Sequence, residues 1–317
     1  MDRQSESHPG AALVTGGAGF IGSHLVRRLL VGGYRVRVLD NFATGRPENL
    51  VGLDGVEIME GDIRSRPDVG RAMTGINTVF HVAALPSVAR SWSDPVATLA
   101  TNAHGTANVV EAAAEAGASC LVYSSSSSVY GDQAADLKTE TLEPRPISPY
   151  AYSKFLGEKI ALAMSGDQKG TRVIALRYFN VFGARQDPNS PYSAVIPLFI
   201  KQALAGGTAT IHGDGTQSRD FTHVDNVVEA NIRALESGVS RVALNIACGE
   251  SHTLLQLVGA ISALNVRALK TTFGPAREGD IKHSKADISL ATAKIGYSPK
   301  VSFEDGLRRT FDEYRSA

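Results

Sequence analysis

The feature that most narrows what this chain folds into is TGGAGFIG, Thr15 to Gly22. It spaces Gly16, Gly19 and Gly22 three apart, between an apolar run at 11–14 and a helical-period segment at 20–30. Strand, glycine turn and amphipathic helix in immediate succession open a βαβ unit. Glycine is demanded because the chain turns tightly, the backbone must approach a pyrophosphate, and the helix must pack close to the strand. The helix N-terminus adds open N–H groups and a partial positive charge, which suit a phosphate. A glycine triplet alone reads equally as a structural turn. Its strand–turn–helix setting, with Asp40 closing a second strand at 35–39, reads as a dinucleotide site. A carboxylate there accepts bonds from both ribose hydroxyls and repels a 2′-phosphate, so NAD is expected over NADP. Asn41 follows it, and Arg46 is the nearby cation that argues the other way.

The same alternation continues, with strands expected at 56–60, 78–82, 120–123 and 172–176 and helices at 65–74, 94–116 and 149–165. Past Asn180 the rhythm loosens into RQDPNSPYS and GDGTQSRD, with helices expected at 194–205, 225–236, 253–263 and 303–314. The expected fold class is α/β, a doubly wound parallel (Rossmann) sheet with a second, smaller α/β substrate-binding domain. Residues 1–180 form the dinucleotide-binding domain and 181–317 the substrate domain, with some later segments returning to the first.

Composition removes several other classes. With 317 residues and 43% hydrophobic content the chain reads as globular, and Lys+Arg 32 against Asp+Glu 32 leaves no field to recruit nucleic acid or an anionic membrane. Cys120 and Cys248 are too few for a disulfide framework, the leader MDRQSESHPG lacks a signal's apolar stretch, and no run reaches a membrane span. A cytoplasmic location is expected. No HExxH, EF-hand loop or cysteine cluster appears, so no metal is expected.

The reactive constellation is Tyr150 and Lys154 in PYAYSK, one helical turn apart behind Pro149. Free tyrosine, with a pKa of about 10, is a poor base at neutral pH. An ammonium group beside it and a cationic nicotinamide ring both favour the phenolate. The tract YSSSSSVYG ends a central strand, where open α/β sheets place their sites, and its hydroxyls suit binding a reacting oxygen. A flexible loop is the competing reading of that tract. Cys120 reads as a buried small hydrophobe and His81 as a packed histidine.

Taken in order, TGGAGFIGSHL, the Asp40 strand end, GDI, SSSSSVYG, SPYAYSK, LRYFNVFG, SRDFTHVDN and REGDIKHSKADIS resemble an extended short-chain dehydrogenase/reductase, in particular the nucleotide-sugar epimerases. The resemblance covers residue 10 to the end. It implies a bound NAD that takes a hydride from C4 of a UDP-sugar, a 4-keto sugar that turns over, and a hydride returned to the other face. Tyr150 is then the base, Lys154 holds the nicotinamide ribose and tunes Tyr150, and Ser126 is the catalytic hydroxyl. The resemblance further places Gly16, Gly19, Phe20, Ile21, Gly22, Asp40, Asn41, Asp62, Ile63, Ala83, Asn102 and Tyr178 along the cofactor. Asp62 reads equally as a turn or capping carboxylate. Along the substrate it places Ser87, Ser126, Asn180, Arg185, Val195, Arg219, Arg277, Asp280 and Ser284. Arginine suits a diphosphate because its planar fork bonds two oxygens; a surface salt bridge is the alternative for each.

Related 4,6-dehydratases carry Asp-Glu just before VYG and decarboxylases a Glu, where this chain has Ser127 and Ser128. The resemblance therefore implies C4 epimerisation. The loop from Arg185 looks like that of epimerases acting on N-acetylated sugars, and Ser284 replaces a tyrosine that crowds C2, so UDP-N-acetylglucosamine is expected beside UDP-glucose. Pro86 departs from a lysine in some members, which makes Ser87 the substitute contact. A UDP-uronate 4-epimerase, with Arg185 meeting the carboxylate, and a non-catalytic NAD sensor are the alternatives. A homodimer through the helices at 94–116 and 149–165 is also implied.

Overall fold

The computed structural model describes residues 10–133, 135, 137–166, 170–190, 193–276 and 282–316. Strands β1 (Ala11–Thr15), β2 (Arg35–Asp40), β3 (Val56–Glu60), β4 (Thr78–His81), β5 (Cys120–Ser126) and β6 (Arg172–Tyr178) are joined by helices. These are α1 (Phe20–Val31), α2 (Arg66–Met73), α3 (Val88–Ser93), α4 (Pro95–Leu99), α5 (Gly105–Glu115) and α6 (Pro149–Ala163). With a further strand at Val242–Ile246, the six form one seven-stranded sheet. Every pairing in it is parallel, and the order reverses between β1 and β4.

A parallel sheet covered on both faces needs strands that are apolar throughout, and all five residues of β1 are buried. Its alternation divides the core. Ala12 and Val14 pack with Leu25 and Leu29 of α1 and Val227 of the helix Val224–Glu236, whereas Ala11 and Leu13 pack with Val69, Val109 and Ala161 of α2, α5 and α6. A third cluster gathers Phe182, Phe199, Phe221, Leu257 and Phe303 around the helix Val195–Leu204. The strand Val242–Ile246 joins the main sheet beside β6, far along the chain from the other six strands. It was not foreseen in the sequence; neither were α3 and the helix Ser289–Ile295.

The stretch 94–116, expected as one helix, is α4 and α5 joined by a π-helical turn at Ala100–His104. Such turns insert one residue and redirect side chains locally. Here the turn seats Asn102, whose amide bonds the backbone of Leu85 in both directions and the Ser153 hydroxyl. Among the described residues no helix is long and apolar enough to cross a membrane, and no group of three or more His, Cys, Asp or Glu is arranged to hold a metal ion.

Candidate active site

At the glycine turn, Gly16 has φ +71° and its N–H donates to Leu39 O at 2.8 Å. A Cβ on Gly16 would come within 2.7 Å of Ala83 Cα, and one on Gly22 within 2.1 Å of Gly16 O. The turn is therefore closed against β4 and α1 by backbone alone. Gly19 stands at the N-cap of α1, where no side chain caps the helix and no acid lies in the first turn. Those are the properties an anion site needs. Phe20 and Ile21 are half-buried against the core, and the Ala83 N–H donates to Thr15 Oγ1 at 3.3 Å.

Asp40 ends β2, buried, and accepts from the N–H groups of Ala18 and Phe42, each at 2.9 Å. Burial raises its pKa. A carboxylate has about four acceptor positions, so two remain for hydroxyl donors. Arg46, the cation that argued for NADP, is held by Asp187 at 2.7 Å. Asn41 Nδ2 donates to Asp62 at 2.9 Å, and Arg64 bonds both Asp62 oxygens, which holds the Asp62 pKa down to about 2. Asp62 does not cap α2; Ser65 does, accepting from the Asp68 N–H. Ile63 is buried, and a Cβ on Gly105 would lie 2.7 Å from its Cδ1. The turn, the open helix end and Asp40 together fit a dinucleotide with an unphosphorylated ribose.

The serine tract is not a loop. Ser124 to Ser126 complete β5, and Ser127–Tyr130 form a 3-10 turn. Ser124 Oγ donates to Tyr178 Oη at 3.1 Å, Ser125 Oγ to Glu158 Oε2 at 2.6 Å, and Ser126 Oγ accepts from Ser128 Oγ at 2.9 Å. Facing them, α6 begins with Ser148 accepting from the Ala151 N–H and Pro149 in the first turn, so Tyr150 and Lys154 fall one turn apart. Burial raises the Tyr150 pKa, and the neighbouring Ser126 hydroxyl acts against that rise. Lys154 is buried, its Nζ 4.8 Å from the centre of the Tyr123 ring, and burial lowers its pKa to about 7 while Glu158 acts in the opposite direction. His81 bonds Thr15 and Thr106, and burial keeps it neutral, its pKa about 3. Tyr178 Oη is tied to Ser124 and Asn231, and the Asn102 amide is spent on Leu85 and Ser153. Their polar tips are therefore already engaged within the protein.

Beyond the carboxyl end of β6, lined by the segment from Asn180, lies a cavity of about 280 Å³. Of the substrate candidates, Asn180, Val195 and Arg219 line it. Asn180 has φ +34° and donates to Asp220 O, and Arg219 Nη1 donates to Ser218 O at 2.9 Å. Ser284 pairs with Arg219 in parallel register and is buried. Arg185 and Ser87 are not among the cavity walls. Arg185 Nε bonds Ser23 Oγ of α1 at 3.2 Å, and Ser87, at φ +88°, caps α3. Arg277 and Asp280 lie outside the described residues. Phe199, His212 and Gln217 line the cavity without having been singled out, because no local spacing brings the segments 199, 212 and 217 to the wall containing Asn180.

The site and sheet define a nucleotide-dependent Rossmann enzyme, and residues 12–247 match the NAD dependent epimerase/dehydratase family. The chain belongs to that family. It is 36% identical over 314 residues to a UDP-glucose 4-epimerase of Mycolicibacterium smegmatis, covering 96% of this chain and 98% of that one. Its fold matches a UDP-N-acetylglucosamine 4-epimerase from Methanobrevibacter ruminantium M1 in complex with UDP-N-acetylmuramic acid, at TM-score 0.92, 38% identity and coverage of 97% and 98%. It also matches a UDP-glucuronic acid 4-epimerase from Bacillus cereus in complex with UDP-glucuronic acid and NAD, at TM-score 0.89, 32% identity and coverage of 96% and 99%.

Proposed function

We propose that this chain is an NAD-dependent C4 epimerase of a UDP-hexose or UDP-N-acetylhexosamine. The observation that carries the reading is Tyr150 and Lys154 one turn apart at the start of α6, beside Ser126 at the end of β5, with hydroxyls, not acids, at Ser127 and Ser128. NAD, when bound, supplies the acceptor and donor of a hydride at C4. Asp40 orients its adenosine ribose and the open end of α1 holds its pyrophosphate. Tyr150 Oη takes the O4 proton and later restores it, while Ser126 Oγ holds that oxygen in place. In the free protein burial favours the neutral phenol, so Tyr150 depends on the Lys154 ammonium to act as a base. Arg219, with Asn180 and Val195, is assigned to the nucleotide-sugar side in the cavity, and Arg277 and Asp280 to the same ligand.

The uronate alternative drew on Arg185 as a carboxylate partner; Arg185 is not among the cavity walls, which supports a neutral sugar instead. The test is to incubate the protein with UDP-N-acetylglucosamine, UDP-glucose and UDP-glucuronate separately, without added NAD, following the C4 epimer by proton NMR. A galacto-product from UDP-glucose or UDP-N-acetylglucosamine supports the reading and a retained cofactor, whereas product from UDP-glucuronate alone favours the uronate alternative. No product from any of the three, even with NAD supplied, refutes it for these sugars.

Two finer expectations follow. Ser284→Tyr fills buried space beside Arg219 and is expected to cut turnover of the acetylated sugar about tenfold more than that of UDP-glucose. Equal losses by NMR would show that Ser284 does not select at C2. Trp92, Val96, Tyr152 and Leu156, on α3, α4 and α6, are exposed by 64%, 76%, 53% and 44%. An apolar face of this kind is a site for a second copy, and Trp92→Glu with Val96→Glu is expected to give monomers in sedimentation velocity where the wild type sediments as a dimer. A wild type that is already monomeric rules out the dimer.

A further inference from the structure

Behind Tyr150 and Lys154 lies a buried charge pair to which the chemistry above gives no task. Glu158 stands on α6 one turn beyond Lys154, and Arg177 on β6, with side chains 1% and 5% exposed. Arg177 grips the carboxylate with two bonds, 2.9 Å from Nε and 2.6 Å from Nη2. Ser125, the neighbour of Ser126, donates to the same carboxylate at 2.6 Å. Arg177 Nη1 donates to Tyr130 Oη at 2.8 Å, which donates to Asn245 Oδ1 on the seventh strand at 2.6 Å. Taking two full charges out of water is costly, and well-packed apolar residues of similar volume often serve stability as well. Stability alone does not account for the pair.

We infer that Glu158 and Arg177 are positioning residues that set the charge of Lys154 and, through it, the ionisation of Tyr150. The inference rests on the function proposed above. Glu158 lies at i+4 from Lys154, so its carboxylate favours the ammonium that burial disfavours. Arg177 limits that influence, because its own cation opposes the Lys154 ammonium from the far side of the carboxylate. Among the described residues, the other titratable groups around Lys154 are Tyr150 on its own helix, Tyr123 on β5 under Nζ, and His81 on β4, which burial keeps neutral. With the Lys154 pKa near 7, a modest change in this field changes its charge at neutral pH.

The signs are opposite for the two partners. In Glu158→Gln the Arg177 cation is left alone, so Lys154 gives up its proton more readily. The alkaline limb of kcat against pH then moves down by about one unit, and the Tyr150 tyrosinate step, read by near-ultraviolet absorbance against a Tyr150→Phe background, moves up. The double variant Glu158→Gln with Arg177→Met removes both charges and is expected to restore at least half of each shift. Ser125→Ala removes a bond but no charge and is expected to leave the profile in place. A Glu158→Gln profile that overlays the wild type, or a double variant shifted as far as the single one, overturns the inference. If Glu158→Gln does not fold, Arg177→Met decides by the same absorbance titration: the tyrosinate step moves down, and a step that stays or moves up is the overturning result. A wild type without epimerase activity counts against the proposed function, whereas the absorbance titration still decides the role of the pair.

Discussion

Replacing Tyr150 by phenylalanine is expected to lower kcat by about 10²–10⁴-fold while NAD and UDP-sugar dissociation constants move by less than about threefold. The ring of Tyr150 sits half-buried at the first turn of α6, so phenylalanine keeps the packing and removes one oxygen. That oxygen lies beside Ser126, and an ammonium on Lys154 one turn on favours its charged form. Loss confined to kcat marks a group needed for proton transfer and not for binding. Single-turnover kinetics with binding by calorimetry measures both halves; activity within about tenfold of wild type would remove Tyr150 from the role of base.

The second large effect is expected at Gly22. On helix propensity alone, Gly22→Ala should stabilise α1 by about 1 kcal/mol. The added Cβ, however, would lie 2.1 Å from Gly16 O and 2.8 Å from Gly17 Cα, both backbone positions that no rotamer relieves. Relief requires α1 to move away from the turn, at a cost of about 1–3 kcal/mol. The same movement takes the open N–H groups of α1 away from the pyrophosphate. We expect net destabilisation in denaturant unfolding and NAD affinity reduced by about a hundredfold, since each tenfold is worth about 1.4 kcal/mol. A variant more stable than wild type with unchanged NAD affinity would mean that the helix does not hold the cofactor.

Much of the nucleotide half was legible because its signals are local. The glycine spacing, the apolar period of β1 and the carboxylate at the end of β2 act within about 30 residues, and strand and helix bounds at 56–60 and 149–165 fell within two residues of those observed. Pro149 behind Ser148 marked the start of α6, which puts Tyr150 and Lys154 on one face by helical geometry alone. Arg177 in LRYFN carried a signal that was passed over: a guanidinium inside an apolar strand requires a buried partner. Glu158 carried less, since a glutamate at that helix position reads equally as solvated.

By itself, then, the sequence determined the βαβ opening, the class of cofactor and the spacing of Tyr150 and Lys154, because each depends on backbone periods and on residues a few positions apart. Only the tertiary structure decided the rest. Arg46 found Asp187, 141 positions away, and Arg185 found Ser23, 162 away; both pairings changed what those arginines are available to do. The serines of β5 divided their hydroxyls among Tyr178, Glu158 and Ser128, and Val242–Ile246 closed the sheet beside β6. These outcomes turn on which distant groups meet once water is excluded, and no period along the chain encodes that.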